Sequence, residues 1–307
     1  MKTFRTALPL IGRIVLSPYA ALILAALFWS GNFIVGRALK GEVPPVALNF
    51  WRWVAALAVL LPLSLGEMRR HRLLVTSHWT LFSGLGLTGI AAFHICVYAA
   101  LARTTAINAL IILSASPMVI VLISWALFRQ GISRTQGLGL LVSLCGAIVL
   151  ICKGNMAALV QLEFNRGDLW MLLAVPLWSV YSILLKHRPP AMPQIVLLTG
   201  SVMAGVILMA PVYLATLRLG ETLPVNTGNI LAILYISLFA SVLAFFFWNR
   251  GVAAIGPVRA GMYIHFMPLF GAVLSICFLG EGLALFHLFG ALLVGTGIFL
   301  TRGENRP

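Results

Sequence analysis

Charge is what this sequence has least of. Asp, Glu, Lys and Arg make up 9% of its 307 residues, while 61% are hydrophobic. Soluble domains are about 25% charged, so a chain this poor in charge cannot cover a surface facing water, and its main solvent is lipid. Acid is scarcer still, at seven residues against 21 Lys and Arg. Glu42, Glu67, Glu163, Asp168, Glu221, Glu281 and Glu304 all fall at the ends of apolar runs, in loops or in the tail. No carboxylate therefore stands in mid-membrane to relay a proton. Gly-x-Ser-x-Gly, His-Glu-x-x-His and paired-aspartate motifs are missing too, so neither an enzyme nor a cofactor is expected. The four cysteines (Cys96, Cys145, Cys152, Cys277) lie in or beside apolar runs with no Cys-x-x-Cys. They read as small buried hydrophobes, not as a metal site or disulfide framework. The net charge of +14 has no separable basic segment behind it, which argues against a nucleic-acid partner.

What the chain has in abundance is long apolar runs. A helix that crosses a bilayer needs about 20 mostly apolar residues. Punctuation by Pro, Gly and charge predicts ten, at 19–38, 46–65, 79–101, 105–128, 133–152, 169–187, 193–216, 229–249, 257–279 and 283–301. The N-terminal Lys2, Arg5 and Arg13 precede an apolar run in the manner of a signal peptide. That run holds Trp29 and Asn32 and lacks a small-x-small exit, so it reads as a retained first helix. With both termini in the cytoplasm, Lys2, Arg5, Arg13, Arg69, Arg70, Arg72, Arg129, Arg134, Lys186, Arg188, Arg250, Arg259, Arg302 and Arg306 are inside. These are 14 of the 21 basic residues, as the positive-inside rule asks.

The pattern repeats. A shift of 151 lays Tyr98–Ile151 on Asn249–Arg302 and superimposes Pro117 on Pro268, Gly131 on Gly282, Gly139 on Gly290 and Gly146 on Gly297. A shift of 149 places Trp29-Ser30 on Trp178-Ser179. The expected organisation is a first five-helix repeat over 1–152, a connecting loop over 153–168 and a second five-helix repeat over 169–307. Five spans per half is odd, so the second half would enter the membrane upside down. Inverted repeats are a common build for transporters, with the substrate site near the midplane between halves.

Aromatic and neutral polar side chains mark that midplane. Trp29 and Asn32 share a face in helix 1, and Trp178 and Tyr181 do so in helix 6. His94 and Tyr98 stand one turn apart in helix 3, and Tyr263 and His265 lie in helix 9. Helix packing accounts for any one of them; the whole set at similar depth on repeat-related helices favours a cavity lining. Trp51, Trp53, Trp79 and Trp170 fall at span ends and read as interface anchors. Pro117 and Pro268 each lack the N–H that would bond the carbonyl of Leu113 or Ile264, which makes them candidate hinges. Gly84, Gly86, Gly89, Gly139, Gly146, Gly290 and Gly297 read as close packing surfaces.

Ten spans in two inverted halves, the start Trp29-Ser30-Gly31-Asn32 and the Pro117/Pro268 repeat resemble the EamA branch of the drug/metabolite transporter superfamily. Within it, the aromatic set looks most like bacterial exporters of aromatic and other amino acids. The resemblance covers nearly the whole chain. It implies cytoplasmic termini, a central cavity lined by helices 1, 3, 4, 6, 8 and 9, and alternating access. In one respect the sequence departs: small multidrug relatives carry a membrane-embedded Glu in the first helix, where this chain reads Trp29-Ser30-Gly31-Asn32.

The resulting expectation is an all-α, multi-pass protein of the bacterial inner membrane. It would export aromatic and other neutral amino acids, bound by Trp29, Asn32, His94, Tyr98, Trp178, Tyr181, Tyr263 and His265. Export of hydrophobic drugs is the alternative, and a non-transporting scaffold a third reading. Its partners would be a small amino-acid substrate and the lipid bilayer, with a monomer expected and a dimer left open. Phosphorylated cargo would want Lys or Arg at mid-depth. The lysines lie at ends or tails and Arg259 near the mouth of helix 9, which disfavours it.

Overall fold

The computed structural model describes residues 17–39, 41–129, 131–155, 157–161, 164–279 and 284–301. Lys2, Arg5, Arg13, Glu163, Glu281, Gly282, Arg302, Glu304 and Arg306, used above for orientation, charge or repeat register, lie outside them. The longer helices are α1 (Pro18–Ala38), α2 (Pro45–Arg70), α3 (Trp79–Arg103), α4 (106–128), α5 (Arg134–Ile151), α6 (Arg166–Leu184), α7 (Gln194–Arg218), α8 (227–255), α9 (257–279) and α10 (Leu285–Leu300). Among the described residues, eight runs are long and apolar enough to cross a membrane. One of them, Thr227–Leu274, is 48 residues long and holds α8 and most of α9. Leu285–Leu300 is a shorter apolar helix. The protein is thus an all-helical, multi-pass membrane protein.

Local chemistry sets the helix ends. Pro44 precedes α2 and Pro193 precedes α7, where the missing N–H costs nothing and the ring pre-sets the dihedral. Ser133 with Gln136 begins α5 through a capping box, and Asn165 with Asp168 does the same for α6; each box satisfies backbone N–H groups that a helix start leaves open. Between α8 and α9, Gly256 adopts φ 80° and is followed by Pro257. A glycine takes this left-handed conformation without Cβ strain, and the apolar run bends there. The span ends differ from the sequence expectation most in α8, which runs on past 249 to 255, and in α2, which runs on past Leu65 to Arg70 despite Gly66.

The sequence repeat has a counterpart in the bonding. Pro44 and Pro193 are 149 apart, as are Trp29 and Trp178; Pro117 and Pro268 are 151 apart. Helix α5 packs closely on α10, its counterpart at the 151 shift. A Cβ on Gly139 would come 2.5 Å from the Gly297 carbonyl oxygen, and one on Gly146 would come 2.8 Å from that of Gly290. Each glycine meets the partner of the other, which is the crossed pairing a two-fold relation requires. The π-helical segment Gly86–Ala91 of α3 maps at 151 onto 237–242, within the π-helical segment Ile236–Leu243 of α8. Such wide turns are rare and concentrate at functional sites.

Paired helices run in opposite directions. The buried Asp168 at the start of α6 accepts hydrogen bonds from Thr104 and Asn108 (2.5 and 3.2 Å), so α6 begins where α3 finishes. Helix α1 finishes at that same end, because Gly36 and Leu39 share a pocket with Tyr98 and Ala102. We call this the vestibule end and its opposite the far end.

Candidate functional site

Four tryptophans and two phenylalanines fill the centre. The rings of Trp29 and Trp178 meet edge to face at 5.0 Å, and these are the residues that the 149 shift equates. Phe245 and Trp248 of α8 close on both of them at 5.2–5.7 Å. Phe93 lies 5.0 Å from Trp178 and 4.8 Å from His94. Trp53 stands 5.0 Å from Phe245 and 5.6 Å from His94. Ring pairs at these separations are favourable beyond their area burial.

The space enclosed beside this box is about 20 Å³, lined by Trp29, Asn32, Phe93, His94 and Trp178, with Leu113, Ile264 and Met267 among the others. That is room for roughly one water. In this structure the space is too small for anything much larger than a water molecule. Leu113 and Ile264, whose carbonyls the prolines leave without their usual partner, both line the space. Helix α4 is interrupted at Ser114–Ala115, and α9 tightens to a 3-10 turn over Met262–His265, each just ahead of its proline.

Polar pairs bound the box on either side. Toward the vestibule, Tyr98 donates to Asn32 Oδ1 at 2.9 Å. Toward the far end, Tyr181 donates to Asn249 Oδ1 at 2.8 Å. Asn32 plus 149 is Tyr181, and Tyr98 plus 151 is Asn249. The same α1–α3 contact recurs as α6–α8 with donor and acceptor exchanged. Tyr181 packs on Gly89, nine residues before Tyr98 on α3, so the two pairs are about 13 Å apart along that helix. Ser30 donates to the carbonyl before Pro268 (Met267, 2.9 Å) and Ser179 reaches toward the carbonyl before Pro117 (Ser116, 3.5 Å), again equivalent residues. Two carbonyls of the π segments complete the set: Gly89 O accepts from His94 Nδ1 at 3.1 Å and Ala240 O from Trp29 Nε1 at 3.1 Å. With its proton on Nδ1, neutral His94 offers Nε2 as an acceptor.

Of the eight residues singled out in the sequence, Trp29, Asn32, His94 and Trp178 line the enclosed space, with Tyr98 and Tyr181 directly behind them. Tyr263 and His265 stand apart. Tyr263 stacks on Tyr19 at 6.2 Å. His265 donates through Nε2 to Ser114 O (3.0 Å) and faces Ser143 Oγ through Nδ1 (2.8 Å); since 114 plus 151 is 265, it ties α9 to its own counterpart. Trp53 corrects an expectation: it is fully buried and belongs to the box, not to the interface. Trp51, Trp79 and Trp170 are partly exposed as expected, and Trp51 donates to the Tyr213 hydroxyl at 2.9 Å.

The residue that sequence reasoning missed is Arg52. It lies seven residues into α2, about 10 Å from the helix start, and is fully buried. Its Nη1 donates to Tyr98 (2.6 Å) and Asn32 (3.2 Å), and its Nε to Ser241 of α8 (2.9 Å). Its guanidinium carbon lies 5.1 Å from the Trp53 ring centre. One signal was available: Asn49, Arg52 and Trp53 fall at i, i+3 and i+4, a polar stripe that interface anchors have no need of.

A membrane-embedded helical bundle with repeat-related polar pairs around a central space has the architecture of a transporter. The comparisons agree. The profile of the EamA-like transporter family matches residues 16–152 and again 165–303, and the chain belongs to that family. It is similar to the uncharacterized transporter YyaM of Bacillus subtilis, 23% identical with 95% of each chain covered. An uncharacterized transporter of Archaeoglobus fulgidus is 27% identical over 92% of this chain and 96% of its own. Protein PecM of Dickeya dadantii is 26% identical over 73% of each. A solved crystal structure, 21% identical, superposes with a TM-score of 0.71 over 93% of this chain and 97% of that one, which establishes the shared fold.

Proposed function

We infer that this transporter exports neutral amino acids, aromatic ones among them, by alternating access through the aromatic box. The observation that carries this reading is the box held between two repeat-related Asn–Tyr pairs. Opening Asn32–Tyr98 while Tyr181–Asn249 stays closed exposes the centre to one side, and the reverse exchange exposes it to the other. Ring faces suit an apolar side chain, while Asn and His tips suit amino and carboxyl groups. The vestibule, about 330 Å³, is lined by Glu42 and Glu221 together with Tyr98, which suits a cargo that also carries an ammonium group. A hydrophobic drug would use the rings and leave these polar groups idle.

In this reading the chain crosses the inner membrane ten times, with Thr227–Leu274 counted as two crossings and α10 as one. The two halves are inverted five-helix repeats joined over 153–168, both termini are cytoplasmic, and the vestibule end faces outward. Substrate contacts fall to Trp29, Asn32, His94, Tyr98, Trp178 and Tyr181, while Tyr263 and His265 act at one remove by shaping α9. Pro117 and Pro268 are the hinges.

Counterflow of radiolabelled phenylalanine and alanine in proteoliposomes tests the function. Exchange without an imposed ion gradient is expected, because the spans offer no mid-depth carboxylate for proton coupling; no exchange of either amino acid would refute the export reading. For topology, single cysteines at Arg70 and Asn226 in a cysteine-free background are expected to label from opposite faces, and labelling of both from one face would refute it.

A further inference from the structure

Arg52 is a buried cation with no counterion among the described residues. The other buried charge among the described residues, Asp168, is occupied by Thr104, Asn108 and the Asn165 N–H. All three of the guanidinium's hydrogen-bond partners, Tyr98, Asn32 and Ser241, are neutral, and its Nη2 has no hydrogen-bond partner at all. The indole N–H of Trp53, next in sequence and in contact with the guanidinium, is also unmatched. Burying an ion without a partner is among the costliest things a protein interior can do, and in a membrane it marks a functional site. Two idle donors beside a full positive charge are a template for an oxyanion.

The position explains when such an anion would arrive. Arg52 Nη1 holds the Asn32–Tyr98 pair closed from behind, and Asn32 lines the central space while Tyr98 lines the vestibule. Parting that pair uncovers the guanidinium to the path between them. The equivalent place at the far end is Ser201 (52 plus 149), a buried hydroxyl that donates to Leu197 O of its own helix. Only one of the two pairs therefore carries a charge.

We propose that Arg52 is an anion anchor for the cargo's carboxylate, engaged when the Asn32–Tyr98 pair opens. A carboxylate accepts two parallel N–H bonds from a guanidinium, so it takes the idle Nη2 together with an Nη1 hydrogen that the opened pair releases, and it supplies the missing charge. One cation matches a single negative charge; a phosphate dianion would leave a charge over. The anchor rests on the export reading for its choice of carboxylate, and it names which atoms of the cargo are recognised.

The test uses the purified full-length protein and two probe pairs, phenylalanine with phenylalaninamide and phenylacetate with phenylacetamide. Ligand-induced shifts in thermal unfolding report binding, and proteoliposome counterflow of phenylalanine reports transport separately. In the wild type, each acid is expected to bind at least tenfold more tightly than its amide, and Arg52→Gln should reduce that ratio to near one. Arg52→Lys, which keeps the charge but loses the fork, should retain a reduced preference. Equal binding of acid and amide by the wild type overturns the anchor without any variant, so a variant that fails to fold leaves the test intact. An unchanged acid preference in Arg52→Gln overturns it as well. Preferential binding of phenylacetate with no counterflow of phenylalanine upholds the anchor and refutes amino-acid export. Counterflow of phenylalanine with no preference for acid over amide does the reverse.

Discussion

The two ends of the box are built from the same contact and differ in one residue behind it. At the far end Tyr181 bonds Asn249, and the matching position of α7 is Ser201, which satisfies itself within its own helix. At the vestibule end Tyr98 bonds Asn32, and Arg52 bonds both. A neutral hydrogen bond contributes about 0.5–1.5 kcal/mol and one to a charged group about 1.5–3 kcal/mol. The vestibule pair is accordingly the tighter latch when no cargo is present. On the proposed export reading, this difference would keep the outward gate shut until an anionic group competes for the guanidinium.

The comparison can be broken at its centre. Trp178→Ala removes a ring that contacts Trp29, Phe93, Tyr181, Phe245 and Trp248. A cost of about 3–5 kcal/mol is expected, measured by denaturant unfolding in detergent. In protein that remains folded, phenylalanine transport should fall more than alanine transport; an equal fall would make Trp178 a packing residue only.

The difference between the ends is sharpened by removing one hydroxyl at a time. Tyr98→Phe leaves Arg52 Nη1 and Asn32 Oδ1 each short of a partner, whereas Tyr181→Phe strands Asn249 Oδ1 alone. The first should destabilise by about 1.5–3 kcal/mol and the second by about 1 kcal/mol, read from the same unfolding curves. Equal effects would mean that the cation adds nothing to the latch.

Pro117→Ala and Pro268→Ala restore a backbone donor to α4 and α9. Transport is expected to slow several-fold while unfolding changes by less than about 1 kcal/mol; unchanged transport in both single variants and in the double variant would remove the hinges. The smallest effect belongs to the serines. Ser30→Ala loses a 2.9 Å bond to α9 and Ser179→Ala a 3.5 Å contact to α4. Destabilisation of about 1 kcal/mol is expected for the first and near zero for the second, and the reverse order would contradict the asymmetry.

Much of the fold is legible in the sequence because helix punctuation is local. Pro117 and Pro268, and the glycines at 139, 146, 290 and 297, carry the repeat in their spacing alone. The 151 register even sets Tyr98 against Asn249. What it cannot display is that each of them bonds the equivalent of the other's partner, since that contact joins α1 to α3 and α6 to α8. Arg52 was hidden for a related reason. An arginine between Trp51 and Trp53 near a helix start looks like an interface anchor, and helices apolar all round give no moment to say which face turns inward. His265 was drawn toward the site by its residue type, but the 3-10 turn ahead of Pro268 aims it at α4 and α5.

The central claim is that the two Asn–Tyr pairs open in alternation. Spin labels can report it directly in a cysteine-free background. One label pair at Ala38 and Arg103 spans α1 and α3 at the vestibule end; another at Lys186 and Ala253 spans the end of α6 and α8 at the far end. Electron–electron distance measurements in liposomes, with and without phenylalanine, should show the two separations changing in opposite directions. Changes of the same sign at both ends, or none at either, would contradict the account.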